Sequence, residues 1–124
     1  MSIFVPLAME PFVNFGQGSK TVEVRNAKSP VAAQVRKARP GDEVRLRWGY
    51  GPHGRHGIRE WRGTLGRTWE GPADEIPDWV KAGACLTQSS WSGRFFDPNG
   101  RLLCFEVLGA AWNPVGKQGG GDAE

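Results

Sequence analysis

The residues whose types and spacing could do chemistry lie together in Gly18-Ser19-Lys20-Thr21-Val22-Glu23-Val24-Arg25, the pattern G-x-K-x-x-E-x-R. Gly18 lets the backbone turn before a strand. Lys20 is a point cation suited to phosphate or to polarising a carbonyl. Glu23 can accept a proton or bind a base amine. Arg25, two residues on, can pair with Glu23 and fix its orientation. Lys20 with Glu23 can also run general acid–base chemistry on a bound water, and Thr21 supplies a hydroxyl on the face expected to hold Glu23. The plain alternative is that Glu23 and Arg25 form an exposed ion pair worth about 0–1 kcal/mol.

A second set lies in the loop 49–57, GYGPHGRHG, read as a flexible basic flap. Its Tyr50, His53, Arg55 and His56 can stack on bases or touch phosphate, or the segment is a long hairpin loop with no role. His53 and His56 are three apart, but Pro52, Gly54 and Gly57 exclude a helix and no Cys or acid stands nearby, so no metal site is expected. Gly16 to Thr21 ends like a phosphate-binding loop but lacks its upstream spacing, which excludes a nucleotide triphosphatase. Cys85 and Cys104 have no CxxC spacing. Cys104, inside Leu102-Leu103-Cys104-Phe105, reads as a buried thiol. Glu106 is a second carboxylate for the cleft if it points inward. Trp48 ends a strand beside the loop, and its alternation with Val44 and Leu46 leaves it between core and ligand.

The charge is uneven. Net charge is +3, with +6 on residues 1–70 and −3 on residues 71–124, and eleven of the sixteen basic residues are Arg. A basic half with interleaved Trp is a nucleic-acid footprint, or else a solvated surface. Arg45, Arg47, Arg55 and Arg59 would supply salt-sensitive affinity. The length of 124 residues suits one domain, and six Trp and six Phe exclude disorder throughout. No apolar run is long enough for a membrane span and no secretory signal is evident, so the expected location is the cytoplasm.

The elements that must position these residues follow from periodicity. Residues 3–7 read as a strand and 10–17 as a short helix burying Phe12 and Phe15. Thr21 to Arg25 alternates as a strand, with Val22 and Val24 toward the core and Thr21, Glu23 and Arg25 opposite. Ser29 caps and Pro30 begins a helix over 31–39. After the turn Pro40-Gly41-Asp42, Glu43 to Trp48 is the cleanest strand. Residues 58–69 contain a strand or hairpin with Gly63 and Gly66 as bulges. Residues 72–81 read as a helical region that Pro77 shortens or splits. Residues 101–109 read as a last strand. Short strands with helices at the edges predict an α+β fold.

The motif and its flanking order resemble the ASCH domain family of the PUA-like superfamily, over about residues 3 to 110 and most strongly over 3 to 48. That resemblance implies a small PUA-like mixed β-barrel with short covering helices and a cleft beside the motif strand. It also implies an RNA-related function. Some similar proteins hydrolyse N4-acetylcytidine with a Lys and a Thr of this motif and a Glu elsewhere; another is described as a ribonuclease. In the first group the Thr stands three residues after the Lys, where this chain has Glu23. The expectation is therefore an ASCH-like domain over 1–112 with a flexible tail over 113–124. It binds RNA or a modified nucleoside through Lys20, Glu23, Arg25, Arg45, Arg47, Tyr50, Arg55 and Arg59, needs no cofactor, and contacts no membrane. The alternative is a small hydrolase with Lys20 and Glu23 as acid/base pair and Thr21 beside them. A third reading is a protein-interaction adaptor with an empty cleft, and protein partners are left open.

Overall fold

The computed structural model describes residues 1–49, 60–86 and 100–113. The chain runs β1 (Ser2–Leu7), α1 (Met9–Gly16), β2 (Val22–Asn26), α2 (Pro30–Lys37), β3 (Glu43–Trp48), β4 (Glu60–Pro72), a 3-10 turn (Ala73–Glu75), α3 (Asp78–Ala84) and β5 (Arg101–Asn113). The five strands form one mixed sheet in the order β1-β3-β4-β5-β2, curled as a half barrel. Only β1 and β3 pair in parallel; the other neighbours are antiparallel. This is the α+β, PUA-like arrangement expected from the sequence. No helix among the described residues is long and apolar enough to cross a membrane.

Period-two alternation builds two cores. Ile3, Val5, Leu7, Val44, Leu46, Leu103, Phe105 and Val107 line the inner face, where α1 adds Phe12 and Phe15 and α2 adds Val31, Ala32 and Val35. Val22, Val24, Leu102 and Cys104 face the other way and pack under α3 through Val80 and Ala84. β4 and β5, thirteen residues each, form the spine. Their register shifts between Arg62 and Thr64 and again between Leu65 and Thr68, where Gly63 and Gly66 were expected to bulge. The segment is one strand rather than a hairpin among the described residues. β5 runs past its expected end because Gly109, at φ +65°, bends the strand without ending it.

The helices follow their caps. The Ser29 hydroxyl accepts the Ala32 N–H at 3.1 Å, and Pro30 opens α2. Pro77 separates the 3-10 turn from α3. Trp48 and Trp61 pack against the inner core, stacked on Phe12 at 6.3 and 4.9 Å. Trp48 is thus a packing residue.

The edge strands leave backbone groups that need partners. On β1, both backbone groups of Phe4 bond the Gln34 amide of α2, at 2.9 and 3.1 Å. The Pro6 carbonyl accepts from Arg25 of β2 at 2.7 Å, and Pro6 has no N–H to satisfy. Two side chains thereby fill the gap between the sheet's two ends.

Candidate functional site

The motif enters from α1. Gly18 sits at φ +81°, which turns the chain toward β2. The Lys20 N–H then bonds the Asn14 carbonyl at 3.1 Å, the Thr21 N–H bonds the Gly83 carbonyl at 2.8 Å, and the Val107 N–H bonds the Thr21 carbonyl at 2.8 Å. Helices α1 and α3 and the neighbouring strand β5 therefore fix the backbone of Lys20 and Thr21.

The side chains form a buried relay. Lys20 is 3% exposed and Glu23 6%. The Lys20 Nζ donates to the Ala84 carbonyl at 2.5 Å, stands 3.4 Å from Glu23 Oε1, and lies 5.4 Å from the centre of the Phe15 ring. Glu23 Oε2 accepts from Arg25 Nε at 2.6 Å. One carboxylate is thus held between two cations, which offsets the cost of burying it. The pair is not an exposed one, because Glu23 is buried in the barrel and Arg25 is only partly exposed. Thr21 is not beside Glu23. A Cβ on Gly83 would come within 2.5 Å of the Thr21 hydroxyl, so that hydroxyl lies on the α3 side with Val22. Strand alternation does not reach Thr21, since β2 begins at Val22.

A cavity of about 310 Å³ opens between the end of α1 and β5, and Lys20 is the member of the relay on its lining. Phe15 and Val107 give it an apolar lining, and Gln17, Lys20 and Thr21 also line it. Gln17 and the Ala84 carbonyl were not singled out from the sequence. Gln17 follows a helix end with no motif to mark it, and a main-chain carbonyl leaves no compositional signal.

Arg45 and Arg47 were expected as phosphate contacts, and the structure gives them a carboxylate instead. Glu60, fully buried, accepts from Arg45 at 3.1 and 3.2 Å, from Arg47 at 3.0 and 3.3 Å, and from Arg62 at 2.8 Å. Arg47 is 8% exposed and lies over Phe4 at 5.0 Å. Burial pushes the Glu60 carboxyl up, but hydrogen bonds from Arg45, Arg62 and Arg47 outweigh it and hold it below the usual carboxylate range. The facing of these residues follows the alternation of β3; the carboxylate on β4 that collects them does not. Tyr50, Arg55 and Arg59, with His53, His56 and residues 114–124 of the expected tail, lie outside the described residues, while Asn113 ends β5.

Glu106 does not join the relay. It shares the α3 side of β5 with Cys104, and Arg67 holds it through Nε, Nη2 and the backbone N–H at 3.2, 3.0 and 3.1 Å. Those bonds keep its carboxyl below the ordinary value. Arg67 in turn lies 4.3 Å over Trp79. Cys104 is fully buried, and its thiol is pushed up to about 12 by burial and by Glu23, with Lys20 opposing. Among the described residues no three His, Cys, Asp or Glu side chains converge as a metal site.

No protein-family model matches this chain, and no curated protein matches it. Solved structures do. The ASCH protein of Zymomonas mobilis aligns with a TM-score of 0.68 at 14% identity, covering 90% of this chain and 69% of that one. Its tyrosine-to-phenylalanine mutant gives 0.69 at 14% identity over 92% and 74% of the two chains. Its serine-to-alanine mutant gives 0.67 at 14% identity over 90% and 70%. At this identity the likeness is one of fold, and it agrees with the resemblance carried by Gly18, Lys20, Glu23 and Arg25: the chain has an ASCH-type fold.

Proposed function

We propose that this protein binds RNA, or a modified nucleoside within RNA, in the cavity between α1 and β5. The observation that supports this reading most is the position of Lys20, a buried cation on the cavity lining with its Nζ aimed between the Ala84 carbonyl and Glu23. A base carbonyl or phosphate oxygen would replace the Ala84 carbonyl on Lys20, while Arg25 keeps Glu23 oriented to take a base amine. Fluorescence titration with nucleosides and short RNAs tests it, with Glu23→Gln as the variant. Loss of selectivity for bases that carry an amine is expected; unchanged selectivity removes Glu23 from the site.

A second reading is a hydrolase acting on a nucleoside amide or an RNA phosphodiester. The 3.4 Å separation of Lys20 and Glu23 favours it, because a shared proton could move between such a pair and a water. Glu23 stands where similar amidohydrolases carry a Thr nucleophile, so the attacking group in this reading is water. Product formation that stops in Glu23→Gln while binding persists would favour this reading over pure binding.

A further inference from the structure

Arg25, Arg45 and Arg47 are each engaged by a carboxylate, Glu23 or Glu60, whereas a second set of cations is not. Among the described residues, Lys28, Lys37, Arg39, Lys81 and Arg101 form no ion pair. All five are exposed, and four of them gather around α2. Lys28 precedes the helix, and Lys37 and Arg39 end it. The Arg101 carbonyl bonds the Ala27 N–H at 3.0 Å, which brings the start of β5 beside Lys28. Arg36 ties the group together, because its guanidinium reaches back to the Ala27 carbonyl and forks onto Glu70 at 2.9 and 3.0 Å. Arg101 also lies near enough to Glu70 to help keep its carboxyl below the usual range, after the larger effect of Arg36. Five cations thus stand around a helix about 12 Å long, with two acids among them, Glu70 on Arg36 and Asp42, whose carboxylate accepts the Arg39 backbone N–H at 2.9 Å.

A cavity of about 210 Å³ opens between α2 and β4 and meets this group at Arg36 and Glu70. Val35, Leu65 and Leu103 give it an apolar floor, and Arg36, Thr68 and Glu70 bring donors and acceptors to its rim. A row of cations next to a small cavity of that kind suits a strand whose phosphates run along the surface while an unpaired base turns inward. A duplex keeps its bases stacked and cannot use the cavity.

We infer that the α2 face, with Lys28, Lys37, Arg39 and Arg101, is a track for the backbone of single-stranded RNA, separate from the Lys20 cavity. The inference rests on the reading of the protein as an RNA binder and adds where the strand lies. Lys37 and Arg39 take phosphates, and the cavity beside Arg36 takes one base.

The test is fluorescence anisotropy of a labelled 12-nucleotide single-stranded RNA across a salt series. The proteins are the full-length chain, the double variant Lys37→Gln/Arg39→Gln, and Lys81→Gln as a charge control on α3. The expected result is a salt slope lower by about 1.4 in the double variant, about 0.7 for each lost phosphate contact. Lys81→Gln should keep the slope, and a duplex of equal length should bind more weakly. An unchanged slope in the double variant overturns the track, as does an equal loss per charge in Lys81→Gln. Equal binding of duplex, or equal competition by anionic phospholipid vesicles at matched phosphate, also overturns it. Titration of the same proteins with free nucleosides keeps the two readings apart: a double variant that binds nucleoside normally has lost the track alone.

Discussion

The guanidinium of Arg25 on β2 donates a 2.7 Å hydrogen bond to the Pro6 carbonyl on β1, while its Nε holds Glu23 at 2.6 Å. β1 and β2 are the two ends of the five-stranded sheet. The last residue of the motif therefore closes the barrel and orients the motif carboxylate with one planar fork. Fold and site share this residue, so a change there reads out in both.

Replacing Arg25 by Met leaves the Pro6 carbonyl without its donor and Glu23 with Lys20 as its one remaining cation. A loss of about 2 kcal/mol is expected, from the usual value of a hydrogen bond to a charged group. Urea unfolding midpoints check it. Arg25→Lys should recover only part, because an ammonium cannot serve Glu23 and Pro6 with the same fixed fork.

Glu60 gives a pH dependence. Its folded-state pKa is lowered, so its contribution is complete above the ordinary glutamate value of about 4.3 and is lost as pH falls through the folded value. Glu60→Gln should cost about 3 kcal/mol at neutral pH, since it leaves three guanidiniums around a neutral amide. The gap between wild type and variant should narrow on going from pH 7 to pH 3. A constant gap in denaturant midpoints would mean that the carboxylate charge is not what stabilises the cluster.

The two cysteines should react very differently. Cys85 is exposed at the end of α3, whereas Cys104 is buried with its thiol pushed up to about 12. An alkylating reagent at neutral pH should modify one thiol per chain quickly, and the second only after unfolding. Mass mapping would place the fast adduct on Cys85. A fast adduct on Cys104 would contradict the packing under α3.

Gly63 sits where β4 and β5 change register, and a Cβ there would come within 2.6 Å of the Leu108 carbonyl. That obstacle is backbone and cannot swing aside. Gly63→Ala should lower stability by about 2 kcal/mol, in the range of overpacked sites, seen as a fall in melting temperature.

Much of the frame was legible in the sequence. Glu43 to Trp48 matched its strand end for end, because one face alternates Val44, Leu46 and Trp48 against charged neighbours. Ser29 and Pro30 marked a helix start by local chemistry that needs no tertiary partner. The glycines at 63 and 66 marked the bulges for the same reason. The site was less legible because its partners are distant. Lys20 reads as a cation at a strand mouth, yet its acceptor is a carbonyl sixty-four residues away. Arg45 and Arg47 read as a basic stripe, and the carboxylate that gathers them sits on the next strand. Alternation states which side a residue faces; it does not state what covers that side. Thr21 shows the further limit, since a period of two fails one residue before the strand begins.

The most direct test of the central claim is fluorescence titration of nucleosides and short single-stranded RNA against wild type and Lys20→Met. Methionine keeps most of the side-chain volume and leaves Glu23 paired with Arg25, and thermal melts of both proteins confirm that the fold survives. The expected result is binding by wild type and at least a tenfold weaker affinity in Lys20→Met, with the salt dependence of RNA binding retained. Equal affinity in the two proteins would contradict a ligand held at Lys20, and absence of binding by wild type at low salt would contradict the RNA reading altogether.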